Sequence, residues 1–526
     1  MSIKAIRKTQ QTLAVLALIL AAGAVQAQQA EEDNDVIPPQ PVIPETDRAP
    51  RKLFTDAVAP DWGTPHRQAV SWHAVAPNLA IVRGSMAGDR ILLNVSPELE
   101  LTMFVTKVER HGDDSVSVFG RLVGFEDSSV ILVALEDALA SEITAPPAGL
   151  HYKTKYAGEG AGGVHYICRM DDDKYAPCPG GRQAPPEMPW EDLIPEAGED
   201  QGVDIAAAGY TPRGTCANVG VVFDNLIVYT DVARVAAGGA AAIQAECQLA
   251  IDRTNESYEN SPISARIRLI GRYEVTYNEV GTYNDHLDRL TGTNGLGGAA
   301  PWTTIRTDRD QENADFCTLF VNDGEYCGLA WCTAASSTRA YQVTSWDCAA
   351  GNLSHPHEIG HNQGCDHDHD NETSGCAAYS YAYGHRFTGT NGTQYRTVMS
   401  YAPGTRIPYF SNPDRTYQGT ATGVAGTGST AARNEDAIEN RKAICEDYEG
   451  TRWDIWVDFS YGSIEVGTFS LPFNTIPEGV TNIDNWVSGA SEYPNLYVKS
   501  GSTAYTGTIS KAMTISPCGG SVTIGD

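Results

Sequence analysis

The chain has 526 residues, 41% of them hydrophobic, which leaves room for two or three packed domains and excludes a chain disordered throughout. Its formal net charge of −29, from 66 acidic and 37 basic residues, excludes phosphate-rich partners such as nucleic acid or an anionic membrane, because like charges repel. Twelve cysteines fit a chain whose thiols mostly end in disulfides outside the cytoplasm.

In chain order, Lys4, Arg7 and Lys8 form a basic start, residues 13–22 a short apolar run, and Val25-Gln26-Ala27 a small-residue cleavage site. This predicts a signal peptide over 1–27 and an extracellular, secreted product. The apolar run is too short for a transmembrane anchor, which needs about 20 such residues, and no later stretch could span a bilayer. Residues 28–50 are acidic and proline-rich and read as a linker. From 51 to 180 the pattern becomes β-rich: residues 91–95, 101–108, 115–122 and 129–135 are short β-branched runs, with a hairpin turn expected at 111–114. This predicts an antiparallel β domain. Residues 181–214, rich in Pro, Gly and acid, read as an exposed linker of the kind in which proteolytic maturation occurs.

From 215 to 450 strands and helices alternate. Residues 219–229 read as a buried strand, and Ile243, Cys247, Ile251, Thr254 and Tyr258 recur at helical spacing. A strand at 265–270, a helix at 284–290 and strands at 315–321 and 340–346 follow. The segment His357-Glu358-Ile359-Gly360-His361-Asn362-Gln363-Gly364-Cys365-Asp366-His367-Asp368 carries the chemistry. On a helix, His357 and His361 project from one face, close enough to share a Zn²⁺, with Glu358 beside them. Gly364 can take the left-handed conformation that ends the helix and brings in His367 as third ligand. Three protein ligands leave a position open for water, as in a catalytic zinc site.

The string H-E-x-x-H-N-x-G-x-x-H-D resembles the metzincin zinc endopeptidases, most of all their adamalysin/reprolysin branch. Thr397-Val398-Met399-Ser400-Tyr401 resembles the family's Met-turn. The resemblance implies an α+β fold in which a metzincin catalytic domain of twisted mixed sheet and long helices spans 215–450. It implies Met399 as a hydrophobic floor under the ligands, Glu358 as base and then acid, and Tyr401 as a donor to the oxyanion. Tyr401 departs from animal reprolysins and is closer to astacins and serralysins. Strand 340–346 is expected to be the edge to which a peptide substrate adds. The β domain stands where metzincins carry an inhibitory propeptide, so a zymogen is expected; a permanent accessory domain is the alternative. Cys168 or Cys178 could ligate zinc in the precursor, but the preferred reading pairs them with each other and leaves latency to steric cover.

Asp366, His369, Asp370 and Glu372 could form a Ca²⁺ site, although acidic loops are usually only solvated. His355, facing away from His361, is expected to be a supporting or solvent-exposed residue. Residues 407–413 should build the lower wall of the cleft. The nine cysteines from Cys216 to Cys445 are odd in number, which leaves Cys518 as an available partner. Residues 451–526 form a small β-rich tail, with strands at 496–498, 508–509, 513–515 and 522–524 spaced like the first coils of a parallel β-helix. The expected function is a secreted zinc endopeptidase acting on protein or peptide substrates. A non-enzymatic adhesion or binding protein with an inactive module is the competing class.

Overall fold

The computed structural model describes residues 46, 48–111, 114–183, 221–332, 337–373, 375–446, 448, 454–461, 472–483 and 493–525. The expected signal peptide, most of the acidic linker and the connector beyond 183 lie outside the described residues. No helix among the described residues is long and apolar enough to cross a membrane.

The N-terminal part contains strands β1 (Arg51–Lys52), β2 (Phe54–Asp56), β3 (Ala69–Pro77), β4 (Arg90–Ser96), β5 (Leu99–Arg110), β6 (Val116–Leu122), β7 (Ser129–Leu135), β8 (Ala138–Ala145), β9 (Leu150–Tyr156) and β10 (His165–Met170), with a short helix α1 (Leu79–Arg83). They form one sheet in the order β1-β4-β5-β6-β7-β8-β9-β10-β3-β2, antiparallel except where β1 meets β4. Strand β7 shows why the sheet sits where it does. Its alternate residues Val130, Leu132 and Ala134 join the sheet's own core, while Ile131, Val133 and Leu135 face the other way. That second face packs on Ala245 and Leu249 of the helix α3 described below, so the strand is buried on both sides and its sequence is continuously apolar.

The second sheet takes in β11 (Arg182–Gln183), and the second part continues with β12 (Val221–Thr230), α2 (Asp231–Ala237), α3 (Ala240–Asn260), β13 (Ala265–Val275), α4 (Tyr283–Thr291), α5 (Trp302–Gln311), β14 (Phe316–Val321), β15 (Gly328–Cys332), β16 (Tyr341–Ser345) and α6 (Ser354–Asn362). The sheet order is β11-β15-β16-β14-β12-β13. All pairs are parallel except β15 with β16. Helix α5 was not foreseen. The expected edge strand at 340–346 is internal, lying between β14 and β15. The rim strand is β15, a Gly- and Cys-containing run too short to stand out by periodicity.

Helix α3 lies between the two sheets. Its buried polar residues Glu246, Gln248, Asp252 and Arg253 therefore face the N-terminal sheet and not water. Lys153 of β9 reaches Glu246 at 3.3 Å, with both side chains buried. Arg67 grips Asp347 with Nε and Nη2, each at 2.7 Å, and Gln68 adds a third hydrogen bond at 3.0 Å. Removing one partner of the fully buried Lys153–Glu246 pair costs about 3–5 kcal/mol, so the N-terminal sheet is held to the second part by specific charge pairs as well as by apolar contact.

Below the helix α6 run β17 (Asp366–Asp368), β18 (Tyr383–Gly384), β19 (Arg386–Thr388), β20 (Gln394–Arg396), β21 (Thr405–Arg406), the β22 (Thr416–Tyr417) and β23 (Thr420–Ala421) hairpin, and helix α7 (Asn434–Glu446). The tail contributes β24 (Asp454–Val457), α8 (Ile476–Asn482), β25 (Asn495–Thr503) and β26 (Thr514–Ile524) in a parallel three-stranded sheet. Residues 508–509 are not a strand, and the runs 513–515 and 522–524 fall largely within the single strand β26. Buried Arg268 of β13 ties this tail to the catalytic sheet, binding Asp224 at 2.7 Å and Asp454 at 3.0 Å.

Candidate active site

Helix α6 follows Leu353, a non-glycine residue at φ +54°, and ends at Asn362, two residues before Gly364 at φ +93°. A side chain at Gly364 would meet Ala378 at 2.6 Å, so both the positive φ and the space demand glycine there. The reversal delivers His367 on β17. The Nε2 atom of His367 then lies 3.1 Å from that of His361 and 3.2 Å from that of His357. Each ring donates its other nitrogen to a backbone carbonyl: His357 Nδ1 to Val398 at 2.9 Å, His361 Nδ1 to Cys365 at 3.0 Å and His367 Nδ1 to Asn371 at 3.1 Å. Those bonds fix the proton on Nδ1, leaving three Nε2 lone pairs aimed at one point. Burial lowers the proton affinity of all three rings, that of His361 to about 4, so repulsion among the lone pairs is not relieved by protonation near neutrality. A divalent cation bound by all three nitrogens relieves it, and the donor set fits zinc.

Glu358 is buried on the same helix, its carboxylate against Gly328 of β15, where a Cβ would approach Oε1 to 2.4 Å. Its Oε1 has no hydrogen-bond partner among the described residues. Burial pushes its carboxyl up to about 8, and a cation on the triad would draw it back down. Met399 is fully buried, with Sδ so close to Gly360 that a Cβ there would come within 2.6 Å. The Tyr401 ring lies 4.2 Å from that of His367, tilted by 38°, and its hydroxyl donates to the Cys178 carbonyl at 2.5 Å.

Two residues of the motif have structural tasks beyond ligation. Asn362 donates to the Trp331 carbonyl of β15 at 2.8 Å, fastening the helix to the rim strand. Asp368 accepts from the Tyr401 backbone N–H at 2.9 Å and pairs with Arg386 at 2.9 Å, joining β17 to the turn that carries Met399 and Tyr401. Asp366 accepts from the backbone N–H groups of His367 and Thr373, and Asp370 pairs with Arg386. These carboxylates thus already have partners, while His369 bonds the Ala431 carbonyl. His355 is buried, not exposed, held by Asn225 at 3.0 Å and Thr254 at 2.7 Å.

The chain's own residues 177–183 lie against the three histidines and β15. Cys178 Sγ, a Glu358 oxygen and a His357 nitrogen lie within 4.8 Å of one another. The Pro177 carbonyl accepts from the Cys327 N–H at 3.2 Å, and β11 pairs in parallel with β15. Arg182 anchors the exit, binding Asp288 at 2.7 Å. Cys168 and Cys178 are both free and buried, contrary to the expected pairing, because β10 keeps Cys168 in the N-terminal part while the following segment carries Cys178 into the cleft. Disulfides join Cys327 to Cys348 and Cys332 to Cys376, bracing both ends of β15.

The family model for Metallo-peptidase family M12 matches residues 222–411, which hold every one of these motif residues. The chain is 31% identical over 322 residues to a peptidyl-Asp metalloendopeptidase of Stenotrophomonas maltophilia strain K279a, an alignment covering 60% of this chain and 69% of that protein. It is 32% identical over 321 residues to one of Xanthomonas campestris pv. campestris, with the same coverage of each chain. A third, of Pseudomonas fragi, is 30% identical over 170 residues, 31% of this chain and 85% of the relative.

Proposed function

The chain belongs to metallopeptidase family M12 and is a zinc-dependent endopeptidase of metzincin type, and from that premise we propose the roles of its residues, its latency and its substrate preference. His357, His361 and His367 hold the zinc. When bound, the metal supplies an activated water and polarises the scissile carbonyl. Glu358 accepts the proton of that water and passes it to the leaving amine; its buried, unpartnered Oε1 beside His357 supports this role. Tyr401 donates to the oxyanion, using the hydroxyl that otherwise bonds the Cys178 carbonyl. Met399 is the apolar floor, and Gly364 the turn that delivers the third ligand.

Residues 1–27 direct secretion, 51–180 form a propeptide, and cleavage within 181–214 releases the enzyme. The passage of 177–183 beside the histidines, with Arg182–Gln183 paired parallel to β15, supports this reading. A substrate lying antiparallel to β15 would pair with the same backbone groups, so plug and substrate exclude each other. Cys178 contributes a thiol at the metal's open side. This assigns latency to the plug and its thiol together, in place of a Cys168–Cys178 disulfide with steric cover alone. Calcium draws no support from Asp366 and Asp370, whose partners are already protein groups. A non-enzymatic adhesion role is not favoured, since ligands and base are all present.

The relatives' names support a preference for bonds beside aspartate. The full chain, expressed and allowed to process, should cleave a peptide library next to aspartate, lose that activity to a chelator and regain it with zinc. Cleavage that persists in chelator, or sites without aspartate enrichment read by mass spectrometry, would contradict the proposal.

A further inference from the structure

Strands β20 and β21 set Arg396 and Arg406 directly opposite each other in a parallel pair. Like charges in cross-strand register are destabilising, and here they are also withdrawn from water. Arg396 is 9% exposed, and burial followed by the charge of Arg406 lowers its affinity for its own proton. Both guanidinium groups converge on the Ser400 carbonyl of the Met-turn, Arg396 Nη1 at 2.8 Å and Arg406 Nη2 at 3.1 Å. Arg396 Nε is taken by Gly404 and Arg406 Nη1 by Asn352, each at 2.8 Å. Arg406 Nε has no partner, and among the described residues neither arginine forms an ion pair with a carboxylate. The carboxylates of the site that act on them, Asp368 on Arg396 and Glu358 on Arg406, form no ion pair with either, so both cations keep the capacity to take an anion from outside.

Both arginines line a cavity of about 430 Å³ between the N-terminal sheet and the Met-turn, shared with Asn352 and Asp172. Arg406 reaches the site through the Ser400 carbonyl, between Met399 and Tyr401, which puts it beside the turn under the three histidines. In the intact chain the carboxylate that shares this cavity with both arginines is that of Asp172, which is held on the N-terminal sheet by His151 at 2.6 Å. Once the N-terminal part leaves, the cations face open space. The chain as a whole carries a formal −29, which repels acidic substrates, so a preference for aspartate requires a local reversal of sign.

We propose that Arg406, with Arg396 behind it, binds the side-chain carboxylate of a substrate aspartate next to the scissile bond, and that Asp172 stands in for that carboxylate in the precursor. This rests on the aspartate preference proposed above. The test uses the processed full chain and three peptides differing only at the residue beside the cleaved bond: Asp, its neutral isostere Asn, and Ala. A charge-assisted bond to a partly buried guanidinium predicts kcat/KM for Asp over Asn of about 10²-fold in the wild type. Arg406→Met should reduce that ratio at least tenfold. Arg406→Lys, which keeps a cation and a donor to Ser400 but not the planar fork, should give an intermediate ratio, and it covers the case in which the methionine variant does not fold. If the wild type prefers Asp and the Arg406 variants keep the full ratio, the assignment to Arg406 is wrong while the aspartate preference stands. If the wild type cleaves Asp and Asn peptides equally, the aspartate preference falls too, and the peptidase activity is untouched by either outcome.

Discussion

Replacing Glu358 by alanine should reduce peptide hydrolysis by about 10²–10⁴-fold while the protein keeps its zinc. The two halves of that expectation have separate causes. Metal retention follows from the triad, whose three Nε2 atoms are positioned by Nδ1 bonds to Val398, Cys365 and Asn371 that do not involve Glu358. Loss of turnover follows because the variant has no group at the same place to take and return a proton. Among the described residues the other carboxylates near the motif, Asp366 and Asp368, are bound to backbone N–H groups. The substitution also removes a buried carboxyl lacking a partner on Oε1, so the variant should fold at least as well as the wild type. Kinetics on purified protein, with zinc measured on the same sample, check both halves. Near-normal turnover would remove Glu358 from the mechanism.

The intact chain should be at least about 10³-fold less active than the same chain cut between 184 and 214. A tethered segment acts at an effective concentration on the order of millimolar, so even a micromolar intrinsic affinity would leave about one cleft in a thousand open. Here the plug is pinned at Pro177, Cys178 and Arg182. Cys178→Ala in the uncut chain should raise activity only part of the way, since the backbone contacts and the Arg182–Asp288 pair survive. Cys168→Ala should change nothing, because that thiol stays within the N-terminal sheet. An uncut chain, verified by mass, with the full activity of the cut one would contradict the plug.

The metal site was legible in the sequence because its parts are local: a helix with ligands four apart, a glycine, and a third ligand six residues on. Geometry of that kind is dictated by helix pitch and one left-handed residue, needing no knowledge of the tertiary fold. The long elements β12, α3 and β14 were legible for the same reason. What escaped was what depends on distant segments. Residue 178 meets residue 358 only because the N-terminal sheet docks on α3, and that docking is written in scattered pairs such as Arg67 with Asp347. Strands β8 and β9 were missed because Ser141, Glu142, Lys153 and Thr154 are polar yet buried, which hides the alternation of a half-buried strand. The rim strand was placed one strand too far inward, since β15 owes its position to pairing with β16 and to two disulfides, and its own sequence carries little pattern. Arg396 and Arg406 looked unremarkable ten residues apart; only the parallel pairing of their strands makes them neighbours.

The most direct test of the account is the zinc content of purified protein, measured by mass spectrometry of the metal, for the wild type, Glu358→Ala and His361→Ala. One zinc per chain in the first two and none in the third is the predicted result. A wild type without zinc, or a His361→Ala protein that still holds one at this site, would contradict the assignment of His357, His361 and His367 as the catalytic metal ligands.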